Sequence, residues 1–230
     1  MFSKEGEISM NYFEEFTKHL LEDEKPSIYF NNLVENNAYP DIYPYNMVLK
    51  LKEVDQNPKH HPEGNVWIHT MMVIDEAAKR RDKSRNPKGF MWAAFLHDIG
   101  KLTTTKIRRG WITSYDHDKV GAKMAEEFLT HLELNEDKEF YNYVLNLVRL
   151  HMQILFIVKN NEFADFNRVA QSGCIEDIGL LGICDRLGRG PKSEEEVRKE
   201  ERNIEIFLER CQNYIDKRKR MAEIYNLPEK

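Results

Sequence analysis

The chain has 230 residues, of which 41% are hydrophobic and 32% charged, and its formal net charge is -5. This length suits a single domain with one hydrophobic core. The acidic balance, with a pI near 6.0, argues against a protein that coats nucleic acid by bulk electrostatics. The longest uninterrupted apolar stretch, Phe90 to Leu96, is far shorter than the roughly 18 residues that a membrane span needs. Any anionic ligand must therefore meet a local basic site.

The N-terminus and the cysteines indicate a reducing compartment. The first residues, MFSKEGEISM, carry acids where a signal peptide would be apolar, and Cys174, Cys184 and Cys211 form no C-x-x-C pair. We therefore expect a cytoplasmic protein without a membrane span, a disulfide framework or a zinc finger.

Apolar residues recur at helical spacing between the glycines and prolines, which predicts an all-α fold. A first helix is expected from Ser9, as its N-cap, until Pro26 ends it, and a shorter helix follows over residues 27–35. Residues 36–64 contain four prolines and are expected to form a structured cover with a helical turn near 48–54. Further helices are predicted at 66–82, 87–98, 114–132, 136–152, 163–171, 174–187 and from 193 to beyond 215.

The last predicted helix has one apolar stripe and one charged face. The charged face mixes Glu, Lys and Arg, which we interpret as a solvated surface, the alternative being a docking surface for a partner. The stripe is formed by Val197, Ile204, Leu208, Cys211 and Ile215.

A strongly apolar helix, FMWAAFLHDIGK (90–101), closes with His97 and Asp98, and Gly100 is a natural helix terminator. An adjacent His-Asp pair can offer an imidazole nitrogen and a carboxylate to a single divalent ion. The alternative is that His97 caps the helix end while Asp98 pairs with Lys101.

Other ligand-type residues lie at or beside apolar stripes, where an unpaired imidazole or carboxylate would be costly. Convergence on a metal ion would remove that cost. These residues are His69, His117, His151 and Asp185.

Several spaced motifs occur in a fixed order: HPEGNVWIHTMMVID (61–75), FLHDIGK (95–101), DHDKVGAKMA (116–125), RLHM (149–152) and CDRLGRG (184–190). In these motifs the chain resembles the HD-domain metal-dependent phosphohydrolases. The closer similarity is to the C-terminal HD domain of bacterial tRNA nucleotidyltransferases, the CCA-adding enzymes, and it covers about residues 58–190.

The resemblance implies a single HD-type helical bundle with an added long C-terminal helix. Residues 1–57 would be an N-terminal helical cover, 58–190 the HD core and 191–230 the C-terminal helix. It also implies one or two divalent ions, without distinguishing Mn, Co, Ni, Fe, Mg or Zn. The first ion would be held by His69, His97, Asp98 and Asp185, and a second by His117 and His151 with Asp98 bridging.

Two features depart from the CCA-adding enzymes. The chain has no Gly-Gly dipeptide, and its only D-x-D flanks His117, so we expect no nucleotidyltransferase head and no nucleotide addition. Where the family has a Gly-His-Glu triplet, this chain has Asp116-His117-Asp118. The one-metal and two-metal interpretations therefore both stay open.

The function implied is hydrolysis of a nucleotide or RNA-end phosphate, as a phosphomonoesterase or a phosphodiesterase, by metal-activated water. The alternatives are a non-catalytic module that binds metal and a nucleotide or RNA, and a di-iron oxygenase. Asp98 and Lys101 are the expected catalytic residues, and Trp111 and Tyr115 are candidates for stacking on a base. The expected substrate-binding residues are Lys101, Arg108, Arg109, Arg186 and Arg189.

Overall fold

A computed structural model describes residues 4–225, and within that range the regular secondary structure is helical apart from one short β-hairpin. The all-α prediction is therefore confirmed. Within the same range no helix has the length and apolar character needed to cross a membrane.

The first helix begins before the predicted cap. Helix α1 spans Lys4–Glu22, and Ser9 lies buried inside it, where its carbonyl oxygen accepts a hydrogen bond of 2.7 Å from the Tyr45 hydroxyl. The N-cap prediction for Ser9 is wrong because a small side chain is also tolerated where a helix interior packs against the core. Pro26 does not end α1 but begins the next helix, α2 (Pro26–Glu35), at the first position, where proline is favoured.

Residues 36–64 form an irregular segment with one helical region. Helix α3 (Tyr45–Leu49) continues into a 3-10 turn (Lys50–Glu53), close to the predicted position. The Val66 amide donates to the Val54 carbonyl at 3.0 Å, which closes the loop between them. This loop carries residues 55–65 to the N-terminal end of the next helix.

The remaining helices follow the predicted order with shorter bounds. The predicted helix 66–82 ends at Ala78, and a separate 3-10 turn, Arg81–Lys83, precedes the Asn86-Pro87 start of the next helix. The predicted helix 136–152 ends at Leu150 and is followed by an extra short helix. The helices are α4 (Val66–Ala78), α5 (Pro87–Leu96), α6 (Lys101–Thr104), α7 (His117–His131), α8 (Lys138–Leu150), α9 (Gln153–Val158), α10 (Phe166–Ser172), α11 (Ile175–Leu187) and α12 (Glu194–Tyr225).

A two-stranded hairpin precedes α7, in the stretch between the predicted helices 87–98 and 114–132, where no strand was predicted. Strands β1 (Lys106–Arg108) and β2 (Trp111–Thr113) pair antiparallel, with Arg108 opposite Trp111. Arg109 (φ 51°) and Gly110 (φ 80°) both adopt left-handed conformations, as a tight two-residue hairpin turn requires. The hairpin was not predicted because its strands are three residues long and largely exposed, and so have no core-facing alternation.

One hydrophobic core joins the helices. All residues from Phe90 to Leu96 on α5 are buried, and α5 packs against α1, α4 and α8. At the other end of the chain α12 packs on α11, where Phe207, a residue missing from the predicted stripe, is fully buried. The core therefore includes side chains from α1 to α12, and the division at residues 57 and 190 stays a prediction.

Candidate metal centre

All the predicted metal ligands meet at one buried place. They come from parts of the chain far apart in sequence, and each lies on or directly after a helix that packs in the core. They are His69 on α4, His97 and Asp98 directly after α5, His117 at the start of α7, His151 directly after α8 and Asp185 on α11.

The ligand atoms form two groups that meet at Asp98. One group comprises His69, His97 and Asp185, the other Asp98, His117 and His151, and within each group the ligand atoms lie within 4.8 Å of one another. Asp98 Oδ2 is 3.3 Å from His97 Nε2, whereas Oδ1 is 3.4 Å from His117 Nε2. Asp98 thus presents one carboxylate oxygen to each group.

Backbone carbonyls set the tautomer of three of these imidazoles. The Nδ1 atoms of His97, His117 and His151 lie 2.8, 2.8 and 2.7 Å from the carbonyl oxygens of residues 94, 114 and 148. Because a carbonyl only accepts, Nδ1 is the donating nitrogen in each ring. In a neutral ring the lone pair is then on Nε2, the atom that points into the centre.

His117 and His151 provide the clearest evidence that the centre fits a cation. Their Nε2 atoms are 3.1 Å apart. Burial lowers the pKa of His151 to about 3 and also lowers that of His117, although Asp98 acts in the opposite direction on both. Both rings are therefore neutral near pH 7, and two lone pairs face each other without a proton between them. A divalent ion that accepts both lone pairs would remove this repulsion.

The two carboxylates of the centre stay ionised despite their burial. Burial acts to raise the pKa of Asp98, but the Lys101 ammonium and His97 hold it well below its usual range. The same balance applies to Asp185, where Arg189 and His69 outweigh burial. Asp98 Oδ2 is buried and accepts no hydrogen bond, although Lys101 Nζ is 2.7 Å away. Ionised oxygens with free lone pairs are suitable ligands for a hard or borderline divalent ion.

Glu63 is a part of the centre that the sequence analysis missed. Its Oε1 lies 2.8 Å from His69 Nδ1 and 2.8 Å from His61 Nδ1, and its side chain is almost fully buried. Burial acts to raise its pKa, but hydrogen bonds from the two histidines lower it to about 2. The Gly188 carbonyl, 3.1 Å from His69 Nδ1, is a second acceptor. A carboxylate behind a ligand histidine orients the ring and raises the basicity of Nε2.

Lys101 is a buried part of the centre. It is buried, with Nζ 2.7 Å from Asp98 Oδ2, and it donates a hydrogen bond of 2.7 Å to Gln56 Oε1. Pairing with Asp98 was one of the two alternatives left open. Gln56, which the sequence analysis did not identify, also donates to the Gly64 carbonyl and so ties the loop before α4 to the centre.

A cavity of about 440 Å³ opens over the centre. Among the predicted substrate-binding residues, Lys101, Arg186 and Arg189 line it, whereas Arg108 and Arg109 lie on the neighbouring hairpin outside its walls. Both oxygens of Asp185 accept from the Arg189 guanidinium at 2.7 Å, so Arg189 is already paired. His60, His61, Tyr115 and Lys159 also line the cavity.

An ion pair outside the centre holds α7 against α8. Asp118, next to His117, is buried and pairs with Arg149, which lies two residues before His151. This contact fixes the two helix ends that carry the facing imidazoles. Asp116, the other acid of the D-x-D, is exposed and pairs with Lys119 instead. Neither Asp116 nor Asp118 belongs to the groups of ligand atoms.

The sequence model of the HD domain family matches residues 66–163, which include five of the six ligand candidates. Residues 66–163 are thus similar to the HD domain family. Asp185, on α11, lies beyond the matched segment of the HD domain, yet the fold places it against His69 with Asp185 Oδ1 and His69 Nε2 3.0 Å apart.

The HD-domain region is similar to curated bacterial proteins. The chain is 34% identical over 125 residues to the multifunctional CCA protein of Actinobacillus pleuropneumoniae serotype 5b, covering 54% of this chain and 29% of that protein. It is 32% identical over 124 residues to the one from Psychromonas ingrahamii (54% and 28%). With the protein from Mannheimia succiniciproducens it shares 26% over 182 residues (75% and 42%). The chain thus spans less than a third of the first two relatives.

Proposed function

We propose that this protein is a metal-dependent phosphohydrolase that acts on a nucleotide or on a phosphate at an RNA end, as a phosphomonoesterase or a phosphodiesterase. The observation that carries the proposal is the pair of neutral imidazoles of His117 and His151, whose Nε2 lone pairs face each other 3.1 Å apart beside Asp98. The HD domain family and the relatives that contain this region support the same class of chemistry.

The chain supplies a set of ligands in two groups. His69, His97 and Asp185 would hold one ion, and His117 and His151 a second, with Asp98 shared between them. A divalent ion bound there supplies Lewis acidity and lowers the pKa of a coordinated water toward 7. Glu63 keeps His69 oriented, and the carbonyls behind the other rings keep their Nε2 atoms directed at the centre.

The residues around the cavity suit an anionic substrate. Arg186 and Lys159 line it, and neither side chain takes part in a hydrogen bond or ion pair within residues 4–225. Their charges can bind and orient a phosphate. Lys101 is paired with Asp98, and Arg189 with Asp185. We propose that the main role of these two cations is to keep the carboxylates ionised, and that they contact the substrate only through the parts of their side chains that line the cavity.

The cysteines give no support to a covalent mechanism. All of them are buried, and burial raises the pKa of Cys184 and Cys211 to about 12 and also raises that of Cys174. A protonated thiol is a poor nucleophile, and none of the three lines the cavity. These side chains fit hydrolysis by water rather than a cysteine nucleophile. We also propose that the protein is cytoplasmic.

Turnover of chromogenic phosphate esters tests the proposal. The chain is stripped with a chelator and reloaded separately with Mn²⁺, Co²⁺, Ni²⁺, Fe²⁺, Mg²⁺ or Zn²⁺, and a phosphomonoester and a phosphodiester are assayed with each. We expect hydrolysis with at least one ion and none in the stripped protein. Failure with every ion, combined with nucleotide binding, would favour the alternative of a non-catalytic module. Oxygen consumption by the iron-loaded protein would indicate an oxygenase instead.

A further inference from the structure

The hairpin β1–β2 exposes aromatic and apolar side chains beside the cavity. Trp111 is 58% exposed, Tyr115 65% and Ile107 78%. The other tryptophans, Trp67 and Trp92, are buried and hydrogen-bonded through their indole nitrogens. Single exposed aromatic side chains are ordinary, but a cluster of exposed apolar and aromatic side chains on one element is typical of a surface that meets a ligand or a partner.

The two faces of the hairpin differ. Directly opposed residues share a face, so Arg108, Trp111, Lys106 and Thr113 lie on one side and Ile107 and Ile112 on the other. On the first face the Arg108 guanidinium lies 4.8 Å from the Tyr115 ring centroid and donates to the Thr113 hydroxyl. Thr113 and Tyr115 line the cavity. Ile112, on the other face, lines the cavity as well, so both faces of the hairpin border it. The Trp111 face differs in that it also carries the basic side chains of Lys106 and Arg108.

The charge of this region is opposite to that of the whole chain. Residues 99–115 contain Lys101, Lys106, Arg108 and Arg109 and no Asp or Glu, although the formal net charge of the protein is -5. Lys159 and Arg186, which also line the cavity, add further positive charge. Aromatic rings beside basic side chains, leading to a site for a phosphate, form the combination that binds single-stranded nucleic acids.

We infer that the hairpin is a stacking platform for the bases of a single-stranded nucleic acid whose terminal phosphate lies in the cavity. Trp111 stacks on a base, Arg108 and Tyr115 hold the neighbouring nucleotide, and Lys106 and Arg109 pair with the phosphates between them. This inference rests on the proposed function and narrows its substrate from any phosphate ester to the end of a single strand. RNA and DNA share this chemistry.

Tryptophan fluorescence tests the contact directly, without turnover. Since Trp111 is the exposed indole among the three tryptophans, quenching by a bound oligonucleotide reports on it. A ten-nucleotide RNA with a terminal phosphate, the DNA of the same sequence, and the duplex of each are titrated into the metal-free protein at low salt. We expect quenching by the single strands and little by the duplexes, whose bases are already stacked. The single strand with the lower Kd, RNA or DNA, identifies which nucleic acid the platform prefers.

Variants on the two faces of the hairpin provide the matched control, with binding measured by anisotropy of a labelled strand. Loss of one stacking partner weakens binding by about 5- to 150-fold, so Trp111→Ala should raise the Kd for the single strand by that factor. Ile107→Ala, on the opposite face and more exposed, should change the Kd less than about twofold. Equal affinity of Trp111→Ala and the wild type would overturn the inference.

A second assay separates this inference from the proposed function. The metal-loaded wild type and Trp111→Ala are compared on a chromogenic phosphodiester, which has no base to stack. We expect equal turnover of this small ester and a lower kcat/KM of the variant on the oligonucleotide only. If both substrates are hydrolysed and Trp111→Ala changes neither rate, the proposal that the hairpin stacks on bases is rejected, whereas the proposed hydrolase function stands. Absence of all turnover, with Trp111 still quenched, would reject the hydrolase and leave the binding surface.

Discussion

The acceptor that faces each Nδ1 atom sets the tautomer and orientation of that histidine of the centre. His97, His117 and His151 are fixed by backbone carbonyls, which no substitution of a side chain removes. His69 is different because its Nδ1 faces the Glu63 carboxylate at 2.8 Å as well as the Gly188 carbonyl. Glu63 is therefore not a ligand candidate itself, but its loss should change the orientation and basicity of His69, which would remain in place.

Glu63→Gln should weaken metal binding while leaving the fold intact. The amide has nearly the same shape but no charge to raise the basicity of His69, and changes of this kind lower metal affinity by about 10- to 100-fold. Competition with a chelating dye gives the affinity, and circular dichroism gives the helicity. The control is Glu53→Gln, an exposed glutamate on the 3-10 turn before the same loop. Equal metal affinity of Glu63→Gln and the wild type would show that Glu63 has no role in the centre.

Lys101→Met should destabilise the metal-free protein far more than the metal-loaded one. The ammonium is buried and paired with Asp98, and removal of one partner of a buried pair costs about 3 to 5 kcal/mol because the other charge stays unpaired. A divalent ion at Asp98 would replace the lost charge. Thermal unfolding with and without added metal measures this difference, and the metal-induced rise in Tm should be larger for the variant. An equal rise in both proteins would contradict the pairing.

Ligand residues could be predicted from the sequence better than the residues that support them. His97, Asp98 and His69 stand at the ends or on the inner faces of strongly apolar helices, so their burial follows from the pattern. Their assignment as candidate ligands came from the resemblance to HD domains. Glu63 and Gln56 lie in an irregular loop, where a polar residue is ordinary and gives no signal. Their positions depend on how the loop folds over α4, and this is a tertiary contact that local periodicity does not encode.

At the scale of elements, a close contact between two backbone segments positions the second group of ligands. The turn after α5 packs on the start of α7, and a Cβ at Gly100 would lie 2.1 Å from the His117 carbonyl oxygen and 2.5 Å from the Gly121 amide nitrogen. Glycine at position 100 therefore allows His117 to reach Asp98. The prediction that Gly100 terminates the helix is wrong, because α5 already ends at Leu96 and Gly100 has right-handed helical angles (φ -65°) directly before α6. The close packing is the reason for glycine at this position.

Gly100→Ala should displace α7 and lower stability. Overpacking of this kind costs about 1 to 3 kcal/mol, and here the clashing atoms belong to the backbone, which yields little. The free energy of unfolding in urea and the metal content should both fall. Gly121→Ala is the matched control, since a Cβ there would lie 3.3 Å from the Gly100 nitrogen, a tight contact without an overlap. Equal stability of Gly100→Ala and the wild type would show that α7 can move without consequence.

Helical elements were predictable where they bury an apolar face, and the remaining elements were not. The longer helices between α4 and α12 follow the predicted order, because each presents a 3.6-residue apolar pattern to the core, whereas the short helix α6 was not predicted. The hairpin, α9 and the separate 3-10 turns are short and depend on turn conformations such as the left-handed Arg109 and Gly110. Many different sequences can adopt such turn conformations. The apolar pattern of this sequence therefore did not predict these short elements.

For the whole molecule, the centre exists only when the helices are packed together. Its candidate ligands come from α4, α7 and α11 and from the ends of α5 and α8. Neither group of ligands can therefore form within a single helix isolated from the rest of the fold. A divalent ion that binds only the folded chain stabilises it by mass action, about 2.7 kcal/mol at a concentration of 100 times Kd. An ion bound at this centre would therefore couple metal binding to folding.

Metal stoichiometry tests the central claim most directly. Wild type, His117→Ala and Asp98→Ala are stripped with a chelator, reloaded with one divalent ion and analysed for metal per chain, with helicity as the check on folding. The two groups of ligands predict about two equivalents for the wild type, one for His117→Ala and none for Asp98→Ala, because only Asp98 faces both groups. One equivalent in both the wild type and His117→Ala would reject the second ion. Wild-type metal content in a folded Asp98→Ala protein would contradict the account as a whole.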